Sequence, residues 1–116
     1  MKKWLFLMLV LVIQLSFAQC VTTRQLFFEN HSTKVWKTTI CPKQNLAFHV
    51  HQYPRVVIAD EAGTLKVNYS SGKVRTIHLE KQIPVYLSVK QGKEPHQDKN
   101  IGDYPLHITV IELKKG

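Results

Sequence analysis

Short apolar runs separated by turn residues limit the fold of this chain more than any other feature of its sequence. The runs are rich in Val, Ile, Phe, Tyr and Thr, and clusters of turn-forming residues interrupt them roughly every 8–12 positions. No segment shows the spacing of apolar residues that a helix of several turns requires. The pattern therefore predicts an all-β sandwich or barrel. We expect strands at residues 25–29, 34–40, 46–51, 55–59, 64–69, 74–79, 85–89 and 106–112.

The first stretch of the chain, residues 1–18, has the composition of a secretory signal. Two lysines precede an apolar stretch that only Gln14 interrupts, and the small residues Ser16 and Ala18 stand at the two positions that signal peptidase recognises. The stretch is short for a membrane span. A lipoprotein signal needs a small residue before its cysteine, and Gln19 stands there instead, before Cys20. We therefore expect cleavage after Ala18, a single mature domain at residues 19–116 and a secreted or periplasmic location.

The chain has two cysteines, Cys20 and Cys41. An even number of cysteines in an exported protein indicates a disulfide. The bridge would pin the N-terminal strand, which otherwise tends to fray. A metal-binding or nucleophilic Cys41 is the weaker alternative, because the sequence has no Cys-x-x-Cys spacing.

Basic residues outnumber acidic ones, with 16 Lys and Arg against 8 Asp and Glu and a formal net charge of +8. The basic residues are scattered among the expected strands and turns and form no block. Dispersed positive charge is typical of a solvated surface, so we expect no nucleic-acid partner.

Two histidine motifs carry most of the functional information. His49 and His51 form an H-x-H pair inside an expected strand, and His96 and Asn100 form an H-x-x-x-N pair near the other end of the chain. Side chains two positions apart on a strand point the same way, about 6–7 Å from each other. Two neutral imidazoles on one face, joined by a third from another strand, make a site for a first-row metal. Taken alone, the H-x-H pair would better suit the solvated face of an edge strand, and the second motif is what favours a metal site.

The spacing of these motifs within an eight-strand pattern resembles that of small single-domain cupins, the RmlC-like jelly-roll superfamily. The first cupin motif is matched by the H-x-H pair followed by Gly63, and the second by Gly92 followed by the H-x-x-x-N pair. The resemblance covers residues 35–113 and is closest to bacterial cupins of the beta-alanine-degradation type. It implies a double-stranded β-helix, in which two sheets form a jelly-roll barrel.

The resemblance also implies that His49, His51 and His96 bind a divalent transition metal (Zn, Ni, Fe, Cu or Mn). The glutamate that completes the usual cupin ligand set is absent. Arg55 or Val56 stands in its place, depending on the length of the gap after the H-x-H pair. The resemblance therefore assigns no fourth ligand.

Arg55 has two interpretations. In an unbroken strand it shares the inward parity of His51, where its guanidinium would oppose a metal and pair with a ligand carboxylate. A bulge at Pro54 would reset that parity and turn Arg55 outward. Arg55, Tyr53 and Asn100 are the candidate ligand-contacting residues, although Asn100 also suits a supporting role in a turn.

These observations lead to competing functional hypotheses. In the first, an exported cupin uses its metal to oxidise or isomerise a small organic acid, with no catalytic residue assigned. In the second, a non-catalytic β-barrel module binds or senses a small ligand or a metal, and the missing glutamate favours this alternative. A metal-free structural domain that acts through its basic surface is the third. We expect a small-molecule partner, specifically a carboxylic acid, and no membrane span, while the sequence leaves a homodimer open.

Overall fold

The computed structural model describes residues 19–115 and consists mainly of β-strands. The predicted signal peptide, residues 1–18, lies outside the described residues. The elements in chain order are β1 (Thr23–Glu29), β2 (Thr33–Ile40), β3 (Arg55–Ala59), β4 (Gly63–Tyr69), β5 (Val74–Leu79), β6 (Val85–Leu87), the helical turn α1 (Val89–Gly92), β7 (His96–Asn100) and β8 (Leu106–Leu113).

The strands form two sheets that face each other. The larger sheet has the strand order β1-β2-β8-β3-β6, and the smaller sheet has the order β5-β4-β7. Neighbouring strands in both sheets pair antiparallel. This arrangement confirms the prediction of an all-β fold built from two sheets.

The core lies between the inner faces of the two sheets. Alternate residues of the central strands are buried, including Val57 in β3, Leu65 and Val67 in β4, and Ile108 in β8. Removal of each such aliphatic side chain from water contributes about 1.5–3 kcal/mol. Arg55, the first residue of β3, follows the same inward parity and is 3% exposed. The alternation that builds the core therefore also carries a cation inward.

The predicted strand at residues 46–51, called the histidine segment below, is wrong as a strand. The segment is irregular and contacts its neighbours at isolated points. His49 makes a single bridge to His96 in β7. Two residues later, the His51 amide donates to the carbonyl of Gly92 in α1. Because the backbone changes partner so quickly, no continuous ladder of hydrogen bonds forms.

Strand β7 was absent from the prediction. Its sequence, His-Gln-Asp-Lys-Asn, is polar and has a low intrinsic preference for strands. It is a strand because it pairs with β4 along its whole length, from Leu65 opposite Asn100 to Tyr69 opposite His96. Tertiary pairing therefore overrides the local preference.

The helical turn α1 was also not predicted, and it shortens the predicted strand at residues 85–89. Ser88 caps the turn, because its hydroxyl accepts a hydrogen bond from the Gln91 amide. A single turn is too short to show helical periodicity in the sequence. Within residues 19–115, no helix is long and apolar enough to cross a membrane.

A disulfide joins Cys20, which precedes β1, to Cys41, which follows β2. The two Cα atoms are 5.7 Å apart, and Cys41 is buried. The predicted bridge is therefore present, and it ties the ends of the β1–β2 hairpin together where β1 forms the exposed edge of the larger sheet.

Removing this bridge should destabilise the domain by about 3 kcal/mol, the value that chain entropy gives for a loop of roughly 20 residues. We expect the double variant Cys20→Ala, Cys41→Ala to unfold at a lower urea concentration than the oxidised wild type. Reductant should shift the wild type to the midpoint of the variant and leave the variant itself unchanged. Equal midpoints for the oxidised wild type and the variant would contradict this prediction.

Candidate metal centre

Three imidazole rings come together where the histidine segment meets β7. His49 and His51 belong to the histidine segment, and His96 is the first residue of β7. The potential ligand nitrogens of the three rings all lie within 4.8 Å of one another. The ring centroids are 4.4 Å apart for His49 and His96, 4.8 Å for His49 and His51, and 5.4 Å for His51 and His96. The structure thus brings both sequence motifs to one point.

Backbone hydrogen bonds hold the rings in this arrangement. The His49 amide donates to the His96 carbonyl at 2.8 Å, and the His96 amide donates to the His49 carbonyl at 3.0 Å. Such a reciprocal antiparallel pair places the two residues directly opposite each other. The backbone at Gly92 also approaches closely, because a Cβ atom there would lie 2.8 Å from the Cβ of His51. Glycine is therefore needed where α1 packs against the histidine segment.

The orientation of two rings is fixed by hydrogen bonds to backbone carbonyls. His49 Nδ1 lies 2.7 Å from the Ala47 oxygen, and His96 Nδ1 lies 2.8 Å from the Glu94 oxygen. A carbonyl oxygen only accepts, so each Nδ1 carries the proton and donates it. In the neutral ring this leaves the lone pair on Nε2, the nitrogen that faces the cluster.

His96 Nε2 is a buried nitrogen whose lone pair is available to a hydrogen-bond donor or a metal ion. The side chain is fully buried, and among the described residues Nε2 has no hydrogen-bond partner. A buried polar atom without a partner costs about 1–3 kcal/mol. A metal ion at Nε2 would satisfy the lone pair, while Glu94 already provides the second hydrogen bond that metal-binding histidines usually make. The donor set therefore fits a metal.

An unpredicted carboxylate stands beside the rings. Asp98 Oδ2 lies 3.3 Å from His49 Nε2, and the Asp98 side chain is 16% exposed. Asp98 follows His96 by two positions in β7, so both side chains point the same way. The H-x-D spacing is the only signal for it in the sequence. That signal has meaning only once residues 96–100 are known to be a strand.

Burial and charge set the protonation of the cluster. Burial, reinforced by the Arg55 guanidinium, lowers the pKa of His51 to about 3. Burial also lowers the pKa of His96. Burial alone would lower the pKa of His49, but the hydrogen bond to Asp98 outweighs it and the pKa is raised. Burial alone would raise the pKa of Asp98, but the contact with His49 outweighs it and the pKa is lowered. His51 and His96 are therefore neutral near pH 7, the form that binds metals.

Arg55 lies against the cluster, and Val56 is on the opposite face of β3. Arg55 Nη2 donates to Gln91 Oε1 at 2.5 Å. Arg55 Nη1 is buried and has no hydrogen-bond partner among residues 19–115. Gln91 is held in turn by a hydrogen bond from its Nε2 to the Tyr69 hydroxyl at 3.3 Å. Of the two interpretations of Arg55, the structure has the inward one, without a bulge after Pro54.

A cavity of about 270 Å³ adjoins the cluster. The polar residues that line it are mostly those at the cluster, His49, His51, Arg55, Gln91 and Asp98, together with Arg24 and Thr38. The rest of its wall is mostly apolar and comes from the inner faces of both sheets, including Trp36, Ile40, Val57, Leu65, Ile77, Leu79, Leu87, Ile108 and Val110. A small molecule with one polar end and an apolar body would match this division.

Tyr53 and Asn100 are not brought to the cavity wall with Arg55. Tyr53 lies in the turn before β3 and is 37% exposed. The Asn100 amide donates to the carbonyls of Ile40 at 2.9 Å and Tyr104 at 2.7 Å, and its Oδ1 accepts from the Gly102 amide. These bonds use the whole Asn100 side chain to fix the turn that leads into β8. Asn100 therefore has the supporting role in a turn that its sequence position also suited, and a ligand contact of Tyr53 or Asn100 stays a prediction.

Comparison with known proteins identifies the fold. No protein-family model and no curated protein matches the sequence. A cupin domain from Bordetella pertussis Tohama I matches with a TM-score of 0.71 and 20% identity over 81% of this chain and 94% of that chain. An RmlC-like cupin from Methanocaldococcus jannaschii matches with a TM-score of 0.63 and 10% identity over 81% of each chain. A double-stranded β-helix protein from Klebsiella pneumoniae has a TM-score of 0.60 and 19% identity over 80% of this chain and 76% of that one.

At these identities the similarity shows the fold. The chain has the double-stranded β-helix of its cupin neighbours, which confirms the predicted fold class. The closer relation to cupins of the beta-alanine-degradation type stays a prediction.

Proposed function

We propose that this protein holds a divalent transition metal at His49, His51 and His96 and uses the adjoining cavity to bind a small organic acid. The observation that carries the proposal is a pair of buried atoms without a hydrogen-bond partner among residues 19–115: His96 Nε2 in the histidine cluster and Arg55 Nη1, whose residue lines the adjoining cavity. The first has a lone pair that suits a metal ion, and the second has an N–H that suits an anionic oxygen. A metal ion would therefore occupy the lone pair of His96 Nε2, and a ligand carboxylate would accept the N–H of Arg55 Nη1.

The three imidazoles define the class of metal. Nitrogen ligands suit Zn, Ni, Fe or Cu better than Mg or Ca, which prefer oxygen. When bound, the metal would polarise and orient an oxygen atom of the ligand in a position that the protein leaves open. His49 and His51 line the cavity themselves, so a molecule in the cavity would be within reach of an ion that they hold.

Arg55 defines the charge of the ligand. A guanidinium presents a planar fork of N–H groups that matches a carboxylate, and Gln91 fixes one branch of the fork at 2.5 Å. The cavity of about 270 Å³ lies at the lower end of the range for ligand pockets, roughly 300–1,000 Å³. The ligand is therefore a small carboxylic acid with an apolar body.

Binding without turnover is the function that the site supports best. The Arg55 guanidinium stays protonated at neutral pH and cannot act as a general base. The carboxylate on the cavity wall, Asp98, lies beside the ring nitrogen that would bind the metal, so a bound ion would be its partner. Oxidation or isomerisation of the acid is the second candidate, which the direct contact between the cavity and two of the metal-binding rings favours.

The test is metal analysis of protein purified without a histidine tag, followed by calorimetric titration with short carboxylic acids. We expect one equivalent of metal per chain after loading with Zn, Ni, Fe, Cu or Mn salts. The loaded protein should bind an apolar carboxylic acid and should not bind the corresponding amide. Absence of stoichiometric metal under every loading condition would contradict the proposal, as would equal binding of acid and amide.

We also infer that the protein is exported and cleaved after Ala18. A Cys20–Cys41 bridge supports this, because stable disulfides belong mainly to oxidising compartments. The intact mass of protein from the producing organism should equal that of residues 19–116 less two hydrogens. A retained N-terminal segment would contradict the cleavage, and two free thiols would contradict the bridge.

A further inference from the structure

Asp98 is a mostly buried carboxylate at the edge of the histidine cluster. It shares the inward face of β7 with His96, and it lines the same cavity as His49 and His51. Its Oδ2 lies 3.3 Å from His49 Nε2. Its backbone carbonyl accepts a hydrogen bond from the Leu46 amide at 2.9 Å, so the histidine segment is held against the residue that carries this carboxylate.

We propose that Asp98 is the fourth metal ligand of this site and replaces the glutamate that the cupin motif has where this chain has Arg55. This inference rests on the proposed metal centre. The carboxylate ligand would then stand on β7, as Asp98, and the cation Arg55 stands on β3 at the position of the motif's glutamate. The protein supplies a negative charge to the metal and keeps a positive charge for its ligand.

The distance between the two atoms fits a shared ion. Two ligand atoms that each lie about 2.1 Å from one ion, at an angle of about 90–110°, are about 3.0–3.4 Å from each other. The 3.3 Å between Asp98 Oδ2 and His49 Nε2 is within that range. An ion could therefore contact both of these atoms. The ligand atoms that lie within 4.8 Å of one another belong to the three rings, so the Asp98 side chain would turn further toward the rings for one ion to contact all four residues.

The hydrogen bonds of His49 distinguish a metal ligand at Asp98 from a carboxylate that only orients a metal-binding ring. Carboxylates beside metal sites usually orient a histidine through the ring nitrogen that does not bind the metal. In His49 that nitrogen is Nδ1, and it already donates to the Ala47 carbonyl at 2.7 Å. Asp98 contacts Nε2, the nitrogen that must give its lone pair to the metal. Once an ion occupies Nε2, Asp98 has lost that partner, and the ion is the positive charge nearest to it.

Electrostatics point the same way. A dication bound only by neutral imidazoles beside the Arg55 guanidinium would leave several positive charges together in a buried site, which is unfavourable at low dielectric. Asp98 is the carboxylate on the cavity wall, and it is close enough to offset part of this charge. Removal of the Asp98 carboxylate should therefore lower the affinity for the metal more than removal of a distant surface carboxylate does.

The experiment compares Co(II) binding to the wild type, Asp98→Asn, Asp98→Glu and Asp103→Asn, using the visible absorption spectrum of bound Co(II) and its dissociation constant. Asp98→Asn keeps the size of the side chain and removes its charge. Asp103→Asn is the matched control, because this carboxylate is 85% exposed and its contact is with Lys43. We expect Asp98→Asn to weaken Co(II) at least about tenfold and to shift its visible bands, with Asp98→Glu closer to the wild type and Asp103→Asn unchanged.

Two results would overturn the inference, and they differ in what else they overturn. If the wild type binds Co(II) and Asp98→Asn shows the same affinity and spectrum, Asp98 is not a ligand and the three-histidine centre stands. If the wild type binds neither Co(II) nor any other metal offered, the metal proposal itself fails. Circular dichroism and urea unfolding of each variant show that a loss of binding is not a loss of fold.

Discussion

The variant His96→Ala is expected to lose stoichiometric metal binding while keeping its β-sheet fold. His96 provides one of three imidazoles, and its Nε2 is one of two buried side-chain atoms that lack a partner among the described residues. Removal of the ring should cost about 2–5 kcal/mol through the void and the lost hydrogen bond to Glu94. The backbone pairing of β7 with β4 does not depend on the ring and should persist.

Metal content after loading and dialysis, together with far-ultraviolet circular dichroism, checks this prediction. His96→Gln preserves more of the side-chain volume and should lose metal as well. His78→Ala is the control, because His78 lies on the exposed face of β5 and its ring contacts the Thr64 hydroxyl. A His96→Ala protein that retains one equivalent of metal would contradict the assignment.

Arg55 variants should change acid binding and metal binding in opposite directions. A charge-assisted contact with a carboxylate is worth roughly 1.5–3 kcal/mol, so Arg55→Ala should weaken the acid by about ten- to a hundredfold. The same change removes a positive charge beside the metal and should strengthen metal uptake. Arg55→Glu places a glutamate where the first cupin motif has one. This variant should bind the metal more tightly still and should no longer bind the acid.

Calorimetric titrations with Ni(II), Zn(II) and a panel of short carboxylic acids measure both effects. Arg55→Lys keeps the charge but loses the planar fork, so it should recover only part of the acid affinity. Lys66→Ala is the control, because Lys66 is exposed on the outer face of β4, between the inward-facing Leu65 and Val67. Each Arg55 variant removes the guanidinium that donates to Gln91 Oε1, so urea midpoints should be recorded alongside. Titrations that stay unchanged across the series would remove Arg55 from the site.

Features that depend on local patterns could be predicted from the sequence. Alternation of apolar residues in β4 places Leu65 and Val67 in the core, and the paired cysteines indicate the bridge. The H-x-H and H-x-x-x-N spacings identify three rings that do converge. These features can be predicted because each depends on residues close together in the chain or on a familiar motif spacing.

Features that depend on tertiary pairing could not be predicted from the sequence. Residues 96–100 are polar, and only their pairing with β4 makes them a strand, so the inward direction of Asp98 was hidden with them. Residues 46–51 have the composition of a strand, but their backbone changes partner from β7 to α1. The direction of Arg55 depended on whether Pro54 introduced a bulge, which residue identity alone does not decide.

The reciprocal backbone bonds between His49 and His96 have a consequence for the order of folding. Strands β3 to β6 and α1 lie between these residues in the chain, so the contact closes a long loop and belongs to the late, non-local part of folding. An ion that needs both sides of this contact has no binding site in a nascent or partly folded chain. Such an ion would leave the folding rate nearly unchanged and would slow unfolding, because it stabilises an interaction formed after the transition state. Loading with metal would then lengthen the lifetime of the native protein.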